Sequence, residues 1–514
     1  MSTPTPTGNG NDDRGGHPFD FGRLADWMPD EPDLADLAKL ATGILTGFAG
    51  NGPDDNLLKP PGSGLPEHEA PAPVPAWQPG GPGGQPTFYF IEDRPSQGPE
   101  GTAPAREPAR FDVDAVRREF PLLAERVNGH PLAWLDNAAT TQKPRSVIDR
   151  IARFYSRENS NIHRGAHTLA TRATEAFEDA RSKVARFLGA PSGEEIIFTR
   201  GVTEAINLVA QTWGRTHIGR GDEILVSRLE HHANIVPWQQ LAAETGAKLK
   251  VIGVDDDGQV MLDSLAAMLS PRVKLVAVAH VSNVLGTIVP VAQIIAAAHQ
   301  AGAKVLIDGA QAVAHLPVQV RQLDADFYAF SGHKVFAPTG IGVLYVKPEL
   351  LAGMPPWQGG GNMISDVTFE RTSYQPAPAK FEAGTGNIAG AIALGAAIDF
   401  VTWQGLARIG AYEHQLLEYA TRQLCAVPGL RLIGTAPQKA SVLTFVLDGH
   451  DPADVGATLD RQGIAVRAGH HCAQPILRRY GLEAAVRPSL AMYNTRAEVD
   501  RLVAALHKIA AKPS

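Results

Sequence analysis

The chain has 514 residues, enough for two or three domains, with a net charge of -7 and a sequence pI of about 6.2. That balance argues against a dominant nucleic-acid surface, and the lack of an apolar run of about 18 residues argues against a membrane span. Two cysteines, Cys425 and Cys472, are too few for a disulfide scaffold and fit reduced thiols in a cytosolic protein.

Residues 1–108 hold 19 of the 39 prolines and glycine-rich stretches such as Gly80-Gly-Pro-Gly-Gly84. A segment of this composition buries too little apolar surface to offset its ordering entropy, so disorder is expected there. Its start, Met1-Ser-Thr-Pro-Thr, has no basic region followed by an apolar stretch, so no secretory signal is expected. Three apolar islands interrupt the segment: Phe19–Met28, a helical-period set from Leu34 to Phe48, and Thr87–Ile91. They read either as leftover hydrophobics and a helix packing on the body, or as short motifs that order on a partner.

From about residue 111, segments of helical period alternate with β-rich runs. Glu223–Ser227, Lys248–Ile252, Leu275–Ala279 and Lys304–Asp308 read as buried strands, with helical stretches such as Val291–Ala301 between them. This alternation predicts an α/β fold, a mostly parallel sheet covered on both faces, with ligands at the carboxyl ends of the strands. Beyond residue 400 a long helix leads to strands at Ser441–Leu447 and Ile464–Arg467, which read as a smaller α+β domain. The expected division is 1–108 extension, 109–400 large domain with its N-terminal segment joining the small one, and 401–514 small domain.

Two stretches carry chemistry. Ser331-Gly-His-Lys334 follows a strand that ends in Asp308-Gly-Ala-Gln311, an arrangement suited to an enzyme of pyridoxal 5'-phosphate (PLP). Cys472, in Arg467-Ala-Gly-His-His-Cys472, adds a second nucleophile, and a thiol beside such a lysine suggests work on a sulfur-bearing amino acid. Cys425 falls among apolar neighbours of a helix and reads as structural. No metal site is expected.

Residues 111–511 resemble the class V aminotransferase-fold, PLP-dependent cysteine desulfurases of the SufS-type (group II) branch. The matching stretches are Leu135-Asp-Asn-Ala-Ala-Thr-Thr141, Asn161-Ile-His-Arg-Gly165, Thr203-Glu-Ala-Ile-Asn207, Glu230-His-His-Ala-Asn234, Asp308–Gln311, Ser331–Lys334, Arg467–Cys472 and Arg487-Pro-Ser-Leu-Ala-Met-Tyr-Asn494. The resemblance implies PLP-dependent transferase fold type I with a seven-stranded sheet, and a homodimer whose active site lies at the subunit interface. It implies that Lys334 carries the cofactor as a Schiff base and then serves as the base at the substrate Cα. It further implies Asp308 against the pyridinium nitrogen, Gln311 on the phenolic oxygen, and His231 stacked on the ring, with no matching role for His232. Thr203, Ser331 and His333 are the implied phosphate ligands, joined by Thr385 from the neighbouring subunit. Gly386 departs from the family's proline next to Thr385. Arg487 is the implied carboxylate anchor, with Asn283 as a second contact and Arg467 and Arg164 as further site arginines. Cys472 is the implied persulfide carrier, on a short loop whose relatives depend on a SufE-like acceptor. The substrate implied is L-cysteine, released as L-alanine. A selenocysteine lyase or cysteine sulfinate desulfinase on the same scaffold needs Lys334 but can run without Cys472, and a plain class V aminotransferase leaves Cys472 unexplained. The extension is similar to that of family 2A encapsulin cargo desulfurases, which implies a shell protein as partner through residues 1–108 and a place in the cytoplasm inside a nanocompartment. Otherwise it is a linker or docking tail.

Overall fold

Runs of β-branched and aromatic residues build the central sheet. Its seven strands are β1 (Ile196–Thr199), β2 (Glu223–Ser227), β3 (Lys248–Ile252), β4 (Val273–Ala279), β5 (Lys304–Asp308), β6 (Phe327–Ser331) and β7 (Gly342–Val346). The spatial order is β1-β7-β6-β5-β4-β2-β3. From β6 through β3 every pairing is parallel, while β7 runs antiparallel to both β6 and β1. The sheet is therefore mostly parallel, with one reversed strand. This computed structural model describes residues 111–163 and 165–511; the expectations for the extension, 1–108, and for Arg164 fall outside the described residues.

Alternation along the strands feeds two cores. Val276, Val278, Val305, Ile307 and Phe330 enter one, and Leu275, Ala277, Leu306, Phe327 and Ala329 enter the other. Burial on both faces explains why these strands read as continuous apolar runs. The reading of β3 as buried needs correction: only Ile252 is buried, because β3 is the edge strand, and its other four residues, two of them lysines, are half-open or exposed.

Helices α1 (Thr168–Leu188), α2 (Val202–Val209), α3 (Ile388–Gln404), α4 (Leu406–Cys425) and α5 (Arg496–Ala510) shape the site and its surroundings. Helix α3 is apolar on nearly all sides and is accordingly buried, packed on α1. Helices α4 and α5 cover a four-stranded antiparallel sheet of order β8-β9-β11-β10, with β8 (Leu430–Ile433), β9 (Thr444–Leu447), β10 (Arg467–Gly469) and β11 (Ala485–Arg487). A capping box between Thr495 and Glu498 starts α5.

The strand expected at Ile464–Arg467 is in fact two. Ile464–Ala465 pairs in parallel with Ala133–Trp134, while Arg467 opens β10 in the four-stranded sheet. The break at Val466 places Arg467 directly across from Arg487.

The parallel strands bring the chemistry-bearing turns to one end. Thr199 leads to Gly201–Thr203, Ser227 to Glu230–His231, Ala279 to Asn283, Asp308 to Gln311, and Ser331 to Lys334. Gly309, just after Asp308, lies against the Tyr328 ring: a Cβ there would sit 2.2 Å from Tyr328 Cε1. Gly309→Ala should cost about 1–3 kcal/mol through overpacking, seen as a lowered melting temperature. An unchanged melting temperature would mean that the Tyr328 ring can yield.

Candidate active site

Lys334, Asp308, His231, Gln311 and Asn283 line one small cavity of about 20 Å³. Asp308 is buried, its Oδ1 accepts the Ala310 amide at 2.9 Å, and burial raises its pKa. Burial pulls the Lys334 amine down to about 8, with Asp308 opposing and Arg487 adding to the effect. The amine is thus close to balance between its neutral and charged forms.

Glu230 and His231 sit on the turn after β2. Ser227 Oγ, Asn234 Nδ2 and the Ala279 amide all donate to the Glu230 carboxyl, which fixes the turn. Its pKa is pushed up to about 8, first by burial. His231 Nδ1 accepts the Ala233 amide at 3.0 Å, so the neutral ring carries its proton on Nε2. Burial, then Lys334, pushes that ring down to about 3. Gln311 Nε2 donates to the Ala138 carbonyl at 2.6 Å, which holds its amide in place.

A wider cavity of about 640 Å³ opens beside Gly201, Thr203, Ser331 and His333. Ser331 Oγ accepts the Val202 amide at 2.9 Å, leaving its own proton to donate. Thr203 is the second residue of α2 and is exposed. Burial, then Lys334 and Lys143, takes the His333 ring down to about 4. The His333 carbonyl accepts from Thr140 Oγ1 at 3.0 Å, the Thr141 amide at 3.0 Å and Lys143 Nζ at 3.2 Å, anchoring the peptide just before Lys334. Within this single chain, Thr385 is exposed and lines another cavity of about 510 Å³ with Arg200, Glu204 and Trp357, not the space around Lys334.

Arg487 and Arg467 are cross-strand neighbours, an arrangement of like charges that is unfavourable without a counter-ion. Asp136 supplies it: Oδ2 lies 2.8 Å from Arg467 Nη2, and Oδ1 lies 3.3 Å from Arg487 Nη2. Arg487 is buried and also donates to the Asn283 carbonyl at 2.9 Å. Its Nε and Asn283 Oδ1 are buried without a protein partner. Arg467 is about half exposed.

Cys472 is exposed, on a loop between β10 and residue 474. His471 and Cys472 both lie at positive φ, 53° and 54°, a strain on the order of 1 kcal/mol each for residues with a Cβ. Hydrogen bonds hold the loop there. The His232 amide donates to the Cys472 carbonyl at 2.9 Å, and Asn283 Nδ2 donates to the His471 carbonyl at 2.8 Å. The loop is thereby tied to the turns after β2 and β4. Lys334 and Arg487 both feel the charge of the thiol. Cys425, by contrast, is the last residue of α4 and is exposed, so it is not the packed thiol its apolar neighbours suggested.

The residues present fit a phosphorylated aldehyde with a ring nitrogen. A poised amine, a buried carboxylate, hydroxyl and imidazole groups at the start of α2, and unpartnered Arg487 Nε and Asn283 Oδ1 converge on connected turns. Sequence reasoning gave no role to Asp136, Glu230, Lys143 or His470. The paired positive charges of Arg467 and Arg487 were the available signal for Asp136; the others act through backbone geometry.

The family model for class-V aminotransferases matches residues 133–502. A cysteine desulfurase of Synechococcus elongatus is 64% identical over 399 residues, covering 78% of this chain and 64% of that relative. The chain therefore spans less than two thirds of that relative's length. A cysteine desulfurase of Salmonella agona is 55% identical over 400 residues, covering 78% of this chain and 98% of the relative. Among solved structures, the cysteine desulfurase CsdA of Escherichia coli, in an S-sulfonic acid form, aligns with a TM-score of 0.72 at 42% identity, over 77% of this chain and 98% of that one. On the strength of these matches, and of the fold type I architecture they share, this chain belongs to the class-V aminotransferase family, and the relatives it resembles are named cysteine desulfurases.

Proposed function

We propose that this protein is a PLP-dependent enzyme that converts L-cysteine to L-alanine and receives the sulfur on Cys472 as a persulfide. The observation that carries the reading is the tethering of an exposed cysteine loop to the turns that surround a buried, poised lysine. When bound, PLP supplies an electron sink for the substrate Cα.

The chain's own groups then divide the work. Lys334 Nζ would hold the cofactor and would serve as the base for the substrate Cα proton. Asp308 would pair with the cofactor's ring nitrogen, Gln311 would serve its phenolic oxygen and His231 its ring, since all four side chains line the one cavity. Thr203, Ser331 and His333 donate to the phosphate. Thr385 does so from a second copy in a homodimer. Arg487, with Nε unpartnered, binds the substrate carboxylate, with Asn283 as a second contact; Arg467 and Arg164 are the further arginines proposed to serve the site. The Cys472 thiolate attacks the substrate Sγ; the Sγ–Cβ bond breaks, its electron pair stays with Cβ, and a proton completes the methyl group of alanine. The persulfide left on Cys472 passes to an external thiol.

The short, pinned cysteine loop supports the SufS-type (group II) assignment and a SufE-like acceptor. The large domain would be residues 109–400 and the small one 401–514. Residues 1–108 would dock on an encapsulin shell protein through their apolar islands. Among the described residues no single helix is long and apolar enough to cross a membrane.

Alanine and sulfide release from L-cysteine, with a thiol reductant, should fall by a factor on the order of 10³ in Cys472→Ala. Activity surviving in that variant would favour chemistry on selenocysteine or cysteine sulfinate. Attack on an aldehyde needs the neutral amine. The folded-state pKa of Lys334 lies below its ordinary value, so the neutral form gains as pH rises towards about 8 and is lost below it. Uptake of PLP by apo-protein, followed by absorbance, should slow roughly ten-fold per unit below that pH. A profile flat from pH 6 to 8 would contradict this. A reporter fused to residues 1–108 should be recovered inside co-expressed shells; a reporter left outside would remove the cargo role.

A further inference from the structure

His470 and His232 have no part in the reaction as written, yet together they grip both backbone polar groups of Cys472. His470 Nδ1 accepts the Cys472 amide at 3.0 Å. This bond requires a neutral imidazole with its proton on Nε2. On the other side, the His232 amide donates to the Cys472 carbonyl at 2.9 Å. The two rings lie against one another, with centroids 5.9 Å apart and planes 24° from parallel. Gln474, two residues past the thiol, hydrogen-bonds the His232 ring. The backbone so held is the part that needs holding, because His471 and Cys472 both lie at positive φ on a surface loop.

We propose that His470, braced by His232, is the positioning residue for Cys472. Its ring nitrogen replaces a backbone acceptor and keeps the nucleophile's backbone left-handed. In that conformation the exposed thiol stays within electrostatic reach of Lys334 and Arg487. Without the bond, the left-handed turn rests on the Ala473 amide's bond to the His470 carbonyl at 3.0 Å and on the tethers from His232 and Asn283, and the loop relaxes more readily to the commoner extended or right-handed forms. A nucleophile displaced by about an ångström loses the near-attack geometry on which sulfur transfer depends. Substrate binding, which rests on Arg487 and the cofactor pocket, is left alone. The inference rests on the persulfide role proposed for Cys472.

Two variants separate the bond from the ring. Asn Oδ1 stands at the same place in the side chain as His Nδ1 and can accept the same amide, whereas Ala cannot. The holoenzyme is compared as wild type, His470→Asn and His470→Ala. Peptide-level hydrogen exchange over residues 469–475 should quicken roughly ten-fold in His470→Ala and stay within about three-fold of wild type in His470→Asn. The kcat for alanine formation should drop about ten-fold in His470→Ala with KM for L-cysteine unchanged, and largely return in His470→Asn. Exchange in His470→Ala equal to wild type, or His470→Asn as impaired as His470→Ala in both measurements, overturns the proposal. If the wild type itself forms no alanine, the desulfurase reading fails and the exchange comparison alone decides whether His470 holds the loop.

Discussion

A lysine amine enclosed by protein, with Asp308 close enough to oppose its loss of charge, is the constraint around which the site is arranged. In a low-dielectric setting each charge here is costly unless another offsets it. The surrounding groups divide accordingly. His231 and His333 are held neutral, because burial and Lys334 both disfavour their protonation. Asp136 bridges the facing pair Arg467 and Arg487 and offsets part of their mutual repulsion. The result is a pocket in which burial and neighbouring charge hold the Lys334 amine below its ordinary value, as the proposed role requires.

The parallel sheet provides the rigidity this requires. Lys334, Asp308, Asn283 and His231 all lie at the same end of adjacent strands, so their spacing is set by strand separation together with the short turns that follow each strand. Cys472 comes from elsewhere in the chain and is joined to this end by hydrogen bonds from His232 and Asn283 and by the packing of His470 on His232. Its exposure suits the role proposed for it, a group that would first meet substrate and then hand sulfur to an outside acceptor. Its tethering suits the first of those tasks, its place on the surface the second.

Much of this was legible in the sequence because the periodicity is strong where burial is complete. Three of the four strands read in the large domain, Glu223–Ser227, Lys248–Ile252 and Lys304–Asp308, have the boundaries expected, and Asp308 ends its strand. The motif spacing singled out Lys334 and Cys472. The edge position of Lys248–Ile252 was not legible, since an edge strand with apolar alternate residues looks like an interior one until its neighbours are known. The break at Val466 was missed because Ile464–Arg467 is uniformly β-prone, and only tertiary pairing divides it between two sheets. Asp136 escaped notice because its partners, Arg467 and Arg487, lie far away in sequence, and Glu230 and His470 because they act on backbone amides and turns, which leave no pattern in the sequence.

The most direct test of the account is a single turnover without reductant. One equivalent of L-cysteine is added to the holoenzyme, the chain is digested, and the peptide carrying Cys472 is weighed by mass spectrometry while alanine is quantified. The account predicts one added sulfur atom on Cys472, in proportion to the alanine formed, and none on Cys425. Alanine produced with Cys472 left unmodified, and no sulfur elsewhere on the chain, would contradict it.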